Sequence, residues 1–253
     1  MEQSPFLSAA LEAAHAAADV IRHYYRGQFE VNFKADNSPV TRADIEAEQV
    51  IRKTISLRFP EHGFYGEETG RQDGNSGYLW LVDPIDGTKS FVRRYPFFST
   101  QIALMHEGRI ILGVSSAPAF EEMAWAETGN GSWLDGERLQ VSSIAALDQA
   151  ALSTGNLRTL ASSESWTGWG EVVARVDRIR GYGDFYHYHL LASGRIDAVV
   201  ESDVNILDIA ALSLIVEEAG GRFTDLYGNA VGLETTSVLA SNGLLHDEIS
   251  ACL

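Results

Sequence analysis

Residues 80–91 read Trp80-Leu81-Val82-Asp83-Pro84-Ile85-Asp86-Gly87-Thr88-Lys89-Ser90-Phe91, an apolar run that ends in two carboxylates and a Gly-Thr step. The run predicts a buried strand that delivers Asp83 and Asp86 to its carboxyl end. Pro84 stiffens the exit of that strand through its fixed φ. Gly87 lets backbone approach a ligand closely, and the N–H groups after it can face an anion at a helix start. Two carboxylates beside such backbone suit a hard cation that bridges protein and phosphate. Asp-Pro-x-Asp-Gly alone is equally well a plain turn, so the rest of the chain decides between the two.

The chain has 253 residues, 45% of them hydrophobic. A chain of this size hides about three quarters of its unfolded surface, as one large domain or two intimate lobes. Its 35 Asp and Glu against 19 Lys and Arg give a formal charge of -16. That argues against nonspecific nucleic-acid binding, which runs on clustered cations. It also repels a phosphate ester unless bound metal reverses the sign locally. Cys252 is the only cysteine, so neither an intrachain disulfide nor a thiolate metal site is expected. The first residues lack a basic n-region, and Glu12, His15 and Asp19 interrupt the Ala-rich stretch that follows. No signal peptide or membrane-spanning run is read, and a soluble cytoplasmic protein is expected.

Phe6, Ala10, Ala13, Ala17, Ile21 and Tyr24 fall at helical spacing, predicting a helix over 5–26 that stops at Gly27. Gln28 to Asn37 alternate enough for a short strand. Ser38-Pro39-Val40-Thr41 then turns into a second helix over 41–58, with Thr41 as N-cap and Ile45, Val50 and Ile51 on its buried side. A brief strand is read at 63–66. Short Val-, Ile- and Phe-rich runs between Tyr78 and Trp125, separated by turn residues, predict a largely antiparallel sheet. From residue 150 the pattern alternates: strands near 150–154, 178–181, 195–201, 222–225 and 236–240, and helices near 167–177, 184–193, 207–219 and 243–251. This suits an α/β layer. The expectation is two lobes with a cleft between them, an α+β lobe over 1–145 and an α/β lobe over 146–253, in one compact unit.

Further carboxylates stand at predicted element ends: Glu67 and Glu68 after the strand at 63–66, Asp208 at a helix start, and Asp36 and Asp44 around the Ser38-Pro39 turn. Each has a plain reading by itself: a solvated loop, a helix-start charge favoured by the dipole, or a first-turn carboxylate. Together, four segments in order resemble the inositol monophosphatase family along essentially the whole chain. They are Lys34-Ala35-Asp36-Asn37-Ser38-Pro39-Val40-Thr41-Arg42-Ala43-Asp44, Gly66-Glu67-Glu68, Asp83 to Thr88, and Leu207-Asp208-Ile209-Ala210-Ala211 with Glu218-Ala219-Gly220-Gly221. The resemblance implies an αβαβα sandwich and a phosphate monoester hydrolase acting on a small molecule, most often as a homodimer. It assigns Glu67, Asp83, Asp86 and Asp208 as metal carboxylates, with the Ile85 carbonyl as a further ligand. Oxygen-only ligation points to Mg²⁺, and the resemblance implies two or three ions, with Mn²⁺ as a substitute. Glu67 would help hold an attacking water, Thr88 backed by Asp44 would orient it, and N–H groups of Gly87 and Thr88 would cradle the phosphate. Leu207 departs from the family pattern, standing where a Trp usually precedes the aspartate.

Family membership does not name the substrate. Asp83 to Pro96 and Arg180-Gly181-Tyr182-Gly183-Asp184-Phe185-Tyr186 resemble the histidinol-phosphate phosphatase branch. That substrate carries an ammonium and an imidazole, and Asp184 and Glu201 would suit such a cation. One carboxylate also accepts from the neutral hydroxyls of inositol, so Glu201 discriminates poorly and Asp184 is the better marker. Asp203 is expected on the same side. Asp184 has an alternative reading as an N-cap for a helix over 185–193. His187 and His189, two apart on that helix, read as packing or surface residues, and Phe97 and Phe98 as core and subunit-interface residues. The runner-up is an inositol-1-phosphate phosphatase or another sugar or nucleotide phosphatase; a non-catalytic interaction protein is the distant alternative.

Overall fold

Ser4 accepts a hydrogen bond from the Leu7 N–H at 3.1 Å and Pro5 opens the first turn, which together start α1 (Pro5–Arg26). The computed structural model describes residues 3–27, 31–33 and 39–253. After α1 come β1 (Val31–Phe33), β2 (Pro39–Thr41), α2 (Arg42–Arg58), β3 (Gly63–Gly66), β4 (Gly70–Gln72), β5 (Tyr78–Asp86), α3 (Thr88–Val92), β6 (Ser99–His106), β7 (Arg109–Ala117), β8 (Glu122–Glu127), β9 (Ser132–Leu134) and β10 (Glu137–Arg138). The chain continues through β11 (Ala151–Gly155), α4 (Leu157–Leu160), α5 (Trp166–Val173), β12 (Arg178–Arg180), α6 (Tyr186–Ala192), β13 (Ala198–Ser202), α7 (Ile206–Glu218), β14 (Arg222–Thr224), β15 (Ser237–Ser241) and α8 (His246–Ser250). Lys34, Asp36 and the Ser38 turn lie outside the described residues.

Two sheets carry the architecture. The first has the order β10-β9-β8-β7-β6-β5-β3-β4 and the second β12-β11-β13-β15-β14. Helices α1 and α2 pack on one face of the first sheet, α6 and α7 lie between the sheets, and α4, α5 and α8 cover the far face of the second. The result is the αβαβα layering, an α/β fold. Strand periodicity assigns side chains to layers. On β5, Trp80 and Val82 enter the core under α1 and α2, while Leu79 and Leu81 face the middle layer. On β13, Val199 faces that middle layer, and Ala198 and Val200 face the outer helices. Helix α7 is apolar nearly all round, as a helix buried between two sheets must be.

The sheet from β5 to β8 is antiparallel as expected, but β3 joins β5 in parallel. That pairing sets the end of β3 beside the end of β5, which matters for the site. Ile45 is 42% exposed, contrary to the expectation from sequence. The packed stripe of α2 instead runs through Ala43, Asp44, Ala47, Glu48, Ile51 and Ile55. Two acids at i and i+4 occupy the inward face, so hydrophobic spacing alone puts the stripe in the wrong place. Phe98 is core, and Phe97 packs edge-on against Phe120 and Tyr186 at 5.5 and 5.7 Å.

Candidate active site

Asp83 and Asp86 are three residues apart, and on a regular strand they would face opposite sides. A bulge removes the difficulty. Asp83 pairs with Gln101 and Asp86 with Ser99, so three steps on β5 oppose two on β6. The extra residue restores a common direction for both carboxylates. Pro84, which has no N–H to offer the ladder, sits in the bulge, and its carbonyl accepts a hydrogen bond from Thr100 Oγ1 at 2.8 Å. Asp83 Oδ1 accepts from the Ile85 N–H at 2.9 Å, and Asp86 Oδ2 lies 3.4 Å from the Ser99 hydroxyl. Asp208 completes the group: one carboxylate oxygen from each of Asp83, Asp86 and Asp208 lies within 4.8 Å of the other two.

Asp208 reaches this position as the third residue of α7. Asn205 caps the helix, and its N–H and Nδ2 each donate to Asp208 at 2.8 Å. The helix-start reading of Asp208 and the metal-ligand reading are therefore compatible. Asp44, third residue of α2, likewise combines its first-turn position with its place behind Thr88: its Oδ2 accepts from the N–H and hydroxyl of the N-cap Thr41 at 2.7 and 2.6 Å. Its Oδ1 lies 3.3 Å from Thr88 Oγ1, which also lies 3.0 Å from the Ile85 carbonyl. Glu67 follows β3, where its N–H donates to Val82 O at 3.1 Å. The turn it starts is held by Glu48 of α2, which accepts from the N–H groups of Glu68 and Thr69 at 2.7 and 2.9 Å.

Gly87 has φ 86° and ends β5 in the left-handed region. A Cβ there would stand 2.6 Å from Phe97 O, so both conformation and space call for glycine. The cleft beyond it, about 200 Å³, is lined by Glu67, Asp83, Ile85, Asp86, Gly87, Thr88, Lys89, Ser90, Asn156, Asp184, Asp203 and Asp208. A roomier groove of about 450 Å³ lies between α1 and the Pro118–Glu121 turn, but no such set of carboxylates converges there among the described residues.

Among the described residues, six acids and one lysine line the cleft, and the electrostatics follow from that. Burial pushes Asp83 well above the usual carboxylate range, with Glu67, Asp86 and Asp208 adding to the rise. Asp86 is raised in the same way by burial and then by Asp208 and Asp184. Asp208 is pushed up to about 7, chiefly by burial and against its hydrogen bond from the Asn205 backbone. Burial also raises Asp44, opposed by the hydrogen bonds from Thr41. Carboxylates this close are stable together only when protonated or when a cation neutralises them. The all-oxygen donor set fits a hard divalent cation, and Asp83, Asp86 and Asp208 could hold one.

Asp184 lies in the cleft wall but does not cap a helix. Phe185 is the N-cap of α6, and Asp184 takes φ 46° just before it. Its carboxyl is pushed up to about 6 by burial and by Glu201, and a hydrogen bond from Ser90 opposes the rise. Asn156 (φ 48°) and Asp203 (φ 59°) line the same cleft in the same unfavourable region, which Asn and Asp tolerate best. Glu201 stands behind them in a side chamber of about 40 Å³ that shares Asp86, Asn156, Asp184 and Asp208 with the main cleft. His187 and His189 are both buried, so neither is a surface residue. His187 turns to Glu201, and His189 to Ser115 at 2.9 Å.

Sequence reasoning brought Glu67, Asp83, Asp86, Thr88, Asp44 and Asp208 into one neighbourhood, and the fold places them together. It passed over Lys89, Ser90, Asn156 and Glu48. Lys89 and Ser90 were visible as the continuation of the Asp83–Thr88 block, and Glu48 as the residue four beyond Asp44. Asn156 carried no local signal beyond following a strand end.

Comparison with known proteins supplies the relationship. The inositol monophosphatase family model matches residues 2–253. A histidinol-phosphatase of Mycobacterium tuberculosis is 41% identical over 249 residues, 96% of this chain and 95% of that protein. An inositol-1-monophosphatase of Caulobacter vibrioides is 34% identical, covering 94% and 97%. Among solved structures, a Thermotoga maritima IMPase superposes with a TM-score of 0.87 at 33% identity, covering 98% of this chain and 96% of that one. With its layered fold and its cluster of carboxylates at the β5 bulge, the chain belongs to the inositol monophosphatase family.

Proposed function

We propose that this protein is a Mg²⁺-dependent phosphatase of small phosphate monoesters whose preferred substrate is histidinol phosphate. The observation that carries the reading is the convergence of Asp83, Asp86 and Asp208 within 4.8 Å beside the Gly87–Thr88 helix start. The substrate choice is supported by the 41% identity to a histidinol-phosphatase and by the acidic wall that Asp184, Asp203 and Glu201 give the cleft. A cationic leaving group gains there from charge-assisted hydrogen bonds, whereas neutral hydroxyls gain less.

Asp83, Asp86 and Asp208 would hold the metal, joined by Glu67 and the Ile85 carbonyl. When bound, Mg²⁺ would supply Lewis acidity at the phosphoryl group and lower the pKa of water in its shell. Thr88 orients the attacking water. Its hydroxyl is held between Asp44 Oδ1 and Ile85 O, so its lone pairs keep a fixed direction. Glu67, next to Asp83, accepts the proton side of that water. The N–H groups of Gly87 and Thr88 face the phosphate oxygens as α3 begins. Asp184 and Glu201 bind the leaving-group side.

The test is phosphate release by purified protein from L-histidinol phosphate, inositol-1-phosphate and glycerol phosphate, with Mg²⁺ and again after EDTA. The expected result is the highest kcat/KM for histidinol phosphate and none of the activities in EDTA. A higher kcat/KM for inositol-1-phosphate overturns the substrate, and full turnover in EDTA overturns the metal.

A further inference from the structure

Glu201, at the end of β13, is held by a row of buried groups that the reaction itself does not use. Its Oε2 accepts from the Tyr188 hydroxyl at 2.8 Å and lies 3.0 Å from His187 Nε2. On the other side of the ring, His187 Nδ1 lies 3.3 Å from Ser153 Oγ, and Ser153 Oγ accepts from the Tyr182 N–H at 3.2 Å. Ser153, His187, Tyr188 and Glu201 are all buried.

The backbone end of this row fixes its direction. The Tyr182 N–H can only donate, so Ser153 Oγ is an acceptor there and its own hydrogen is free to point at Nδ1. Nδ1 is then the acceptor nitrogen, and Nε2 carries the hydrogen and donates to Glu201. Each hydrogen in the row meets an acceptor, which a ring carrying its hydrogen at Nδ1 would not achieve. Oε2 thus receives two hydrogen bonds and is spoken for. Oε1 lies over β11, where a Cβ on Gly155 would stand 2.0 Å from it. The carboxylate is clamped from both sides, and Gly155 leaves the space it fills. Although Ser153, His187 and Glu201 follow the order of a hydrolytic triad, Ser153 is fully buried and its hydrogen is committed to the ring, so it has no access to a substrate.

We infer that His187 and Tyr188 are positioning residues for leaving-group recognition: by pinning Oε2 of Glu201 they hold that carboxylate as a fixed anionic acceptor for the cationic part of the substrate. This rests on the reading of the substrate as a cationic phosphate ester. The chamber that Glu201 shares with Asp184 and Asn156, about 40 Å³, has room for a group the size of an ammonium, since a water occupies roughly 30 Å³ of liquid. Preorganisation is what the clamp contributes: a carboxylate already oriented loses little freedom when the cation arrives.

Tyr188→Phe removes one donor at constant shape, and His187→Phe removes the other. Each should raise KM for histidinol phosphate by about tenfold, the scale of one charge-assisted contact, with kcat within about threefold and kcat/KM for glycerol phosphate unchanged. His187→Gln, whose amide can donate near the Nε2 position, should recover most of the loss. Gly155→Ala, which pushes Glu201 from the opposite side, should mimic Tyr188→Phe. Equal losses on both esters, or no rise in KM, overturn the inference. If wild-type protein shows no preference for the cationic ester, the proposed substrate is what fails, and ring ¹⁵N spectroscopy then judges the clamp. The hydrogen of His187 on Nε2, with a signal that moves in Glu201→Gln, upholds it; a hydrogen on Nδ1 overturns it.

Discussion

Thr88 has one hydroxyl hydrogen and two acceptors within reach, Asp44 Oδ1 at 3.3 Å and Ile85 O at 3.0 Å. That sharing makes the hydroxyl a rigid acceptor rather than a rotor, which is what orienting a water requires. Asp44 is itself held by the N-cap Thr41, so the N-cap of α2 supports the Thr88 hydroxyl of α3. Thr88→Ala should lower kcat by roughly 10²–10⁴, the range for loss of an acid–base or positioning group, with KM changing less. Thr88→Ser should keep most of the activity because the hydroxyl remains. Steady-state kinetics with saturating Mg²⁺ decides the matter: if Thr88→Ala stays within about twofold of wild type, the hydroxyl serves only the start of α3.

Among the elements, two helix starts and one bulge build most of the site. Sequence made the helix starts legible through Thr41 as an N-cap and Asp208 as a helix-start carboxylate, and the fold adds the capping boxes that tie Thr41 to Asp44 and Asn205 to Asp208. The bulge was only half legible. Pro84 marked an interruption, but the shift of register between Asp83 and Asp86 depends on which residues of β6 lie opposite. The same non-locality hid Asn156, which reaches the cleft only because β11 lies beside β13. It also hid what Glu48 holds, the Glu68 and Thr69 N–H groups of the turn after β3. Helix α8 gives a test away from the site. His246 begins it, buried between Thr224 Oγ1 at 3.1 Å from Nε2 and Ser241 Oγ at 3.0 Å from Nδ1. Burial, with Arg222 adding, lowers its pKa from 6.5 to about 4. The unfolded chain therefore takes up a proton that the folded chain refuses between those values. Stability from this group is full above about pH 6.5 and falls as pH drops towards 4, by up to about 3 kcal/mol. Chemical denaturation at pH 7 and pH 4.5 should show a smaller loss in His246→Gln than in wild type. An equal loss in both proteins would assign the acid sensitivity to other groups.

At the scale of the whole molecule, folding collects like charges. Five layers bring Glu67, Asp83, Asp86, Asp184 and Asp208 from four separate stretches of a chain that already carries a formal charge of -16. Without a cation the cost falls on stability, and its sign can be worked out. Asp184 and Asp208 are raised in the fold to about 6 and about 7 from 3.8, and Asp83 is raised well above it. Between 3.8 and these values the folded chain holds protons that the unfolded chain has released, so stability falls as pH rises through that window. His246 works in the opposite sense below pH 6.5, which leaves the carboxylates to govern the alkaline side. EDTA-treated protein should therefore melt at a lower temperature at pH 8 than at pH 6. Mg²⁺ at a hundredfold excess over its Kd should return about 2.7 kcal/mol. Asp83→Asn removes one charge while its amide oxygen can still accept from the Ile85 N–H. In EDTA at pH 8 the variant should exceed wild type by about 0.5–2 kcal/mol, the usual yield of charge-optimising substitutions. It should gain less from Mg²⁺ and lose most of its turnover. Identical melting of variant and wild type in EDTA would mean that the empty cluster carries no repulsion for a metal to relieve, and the stability cost assigned here to Asp83 would fall with it.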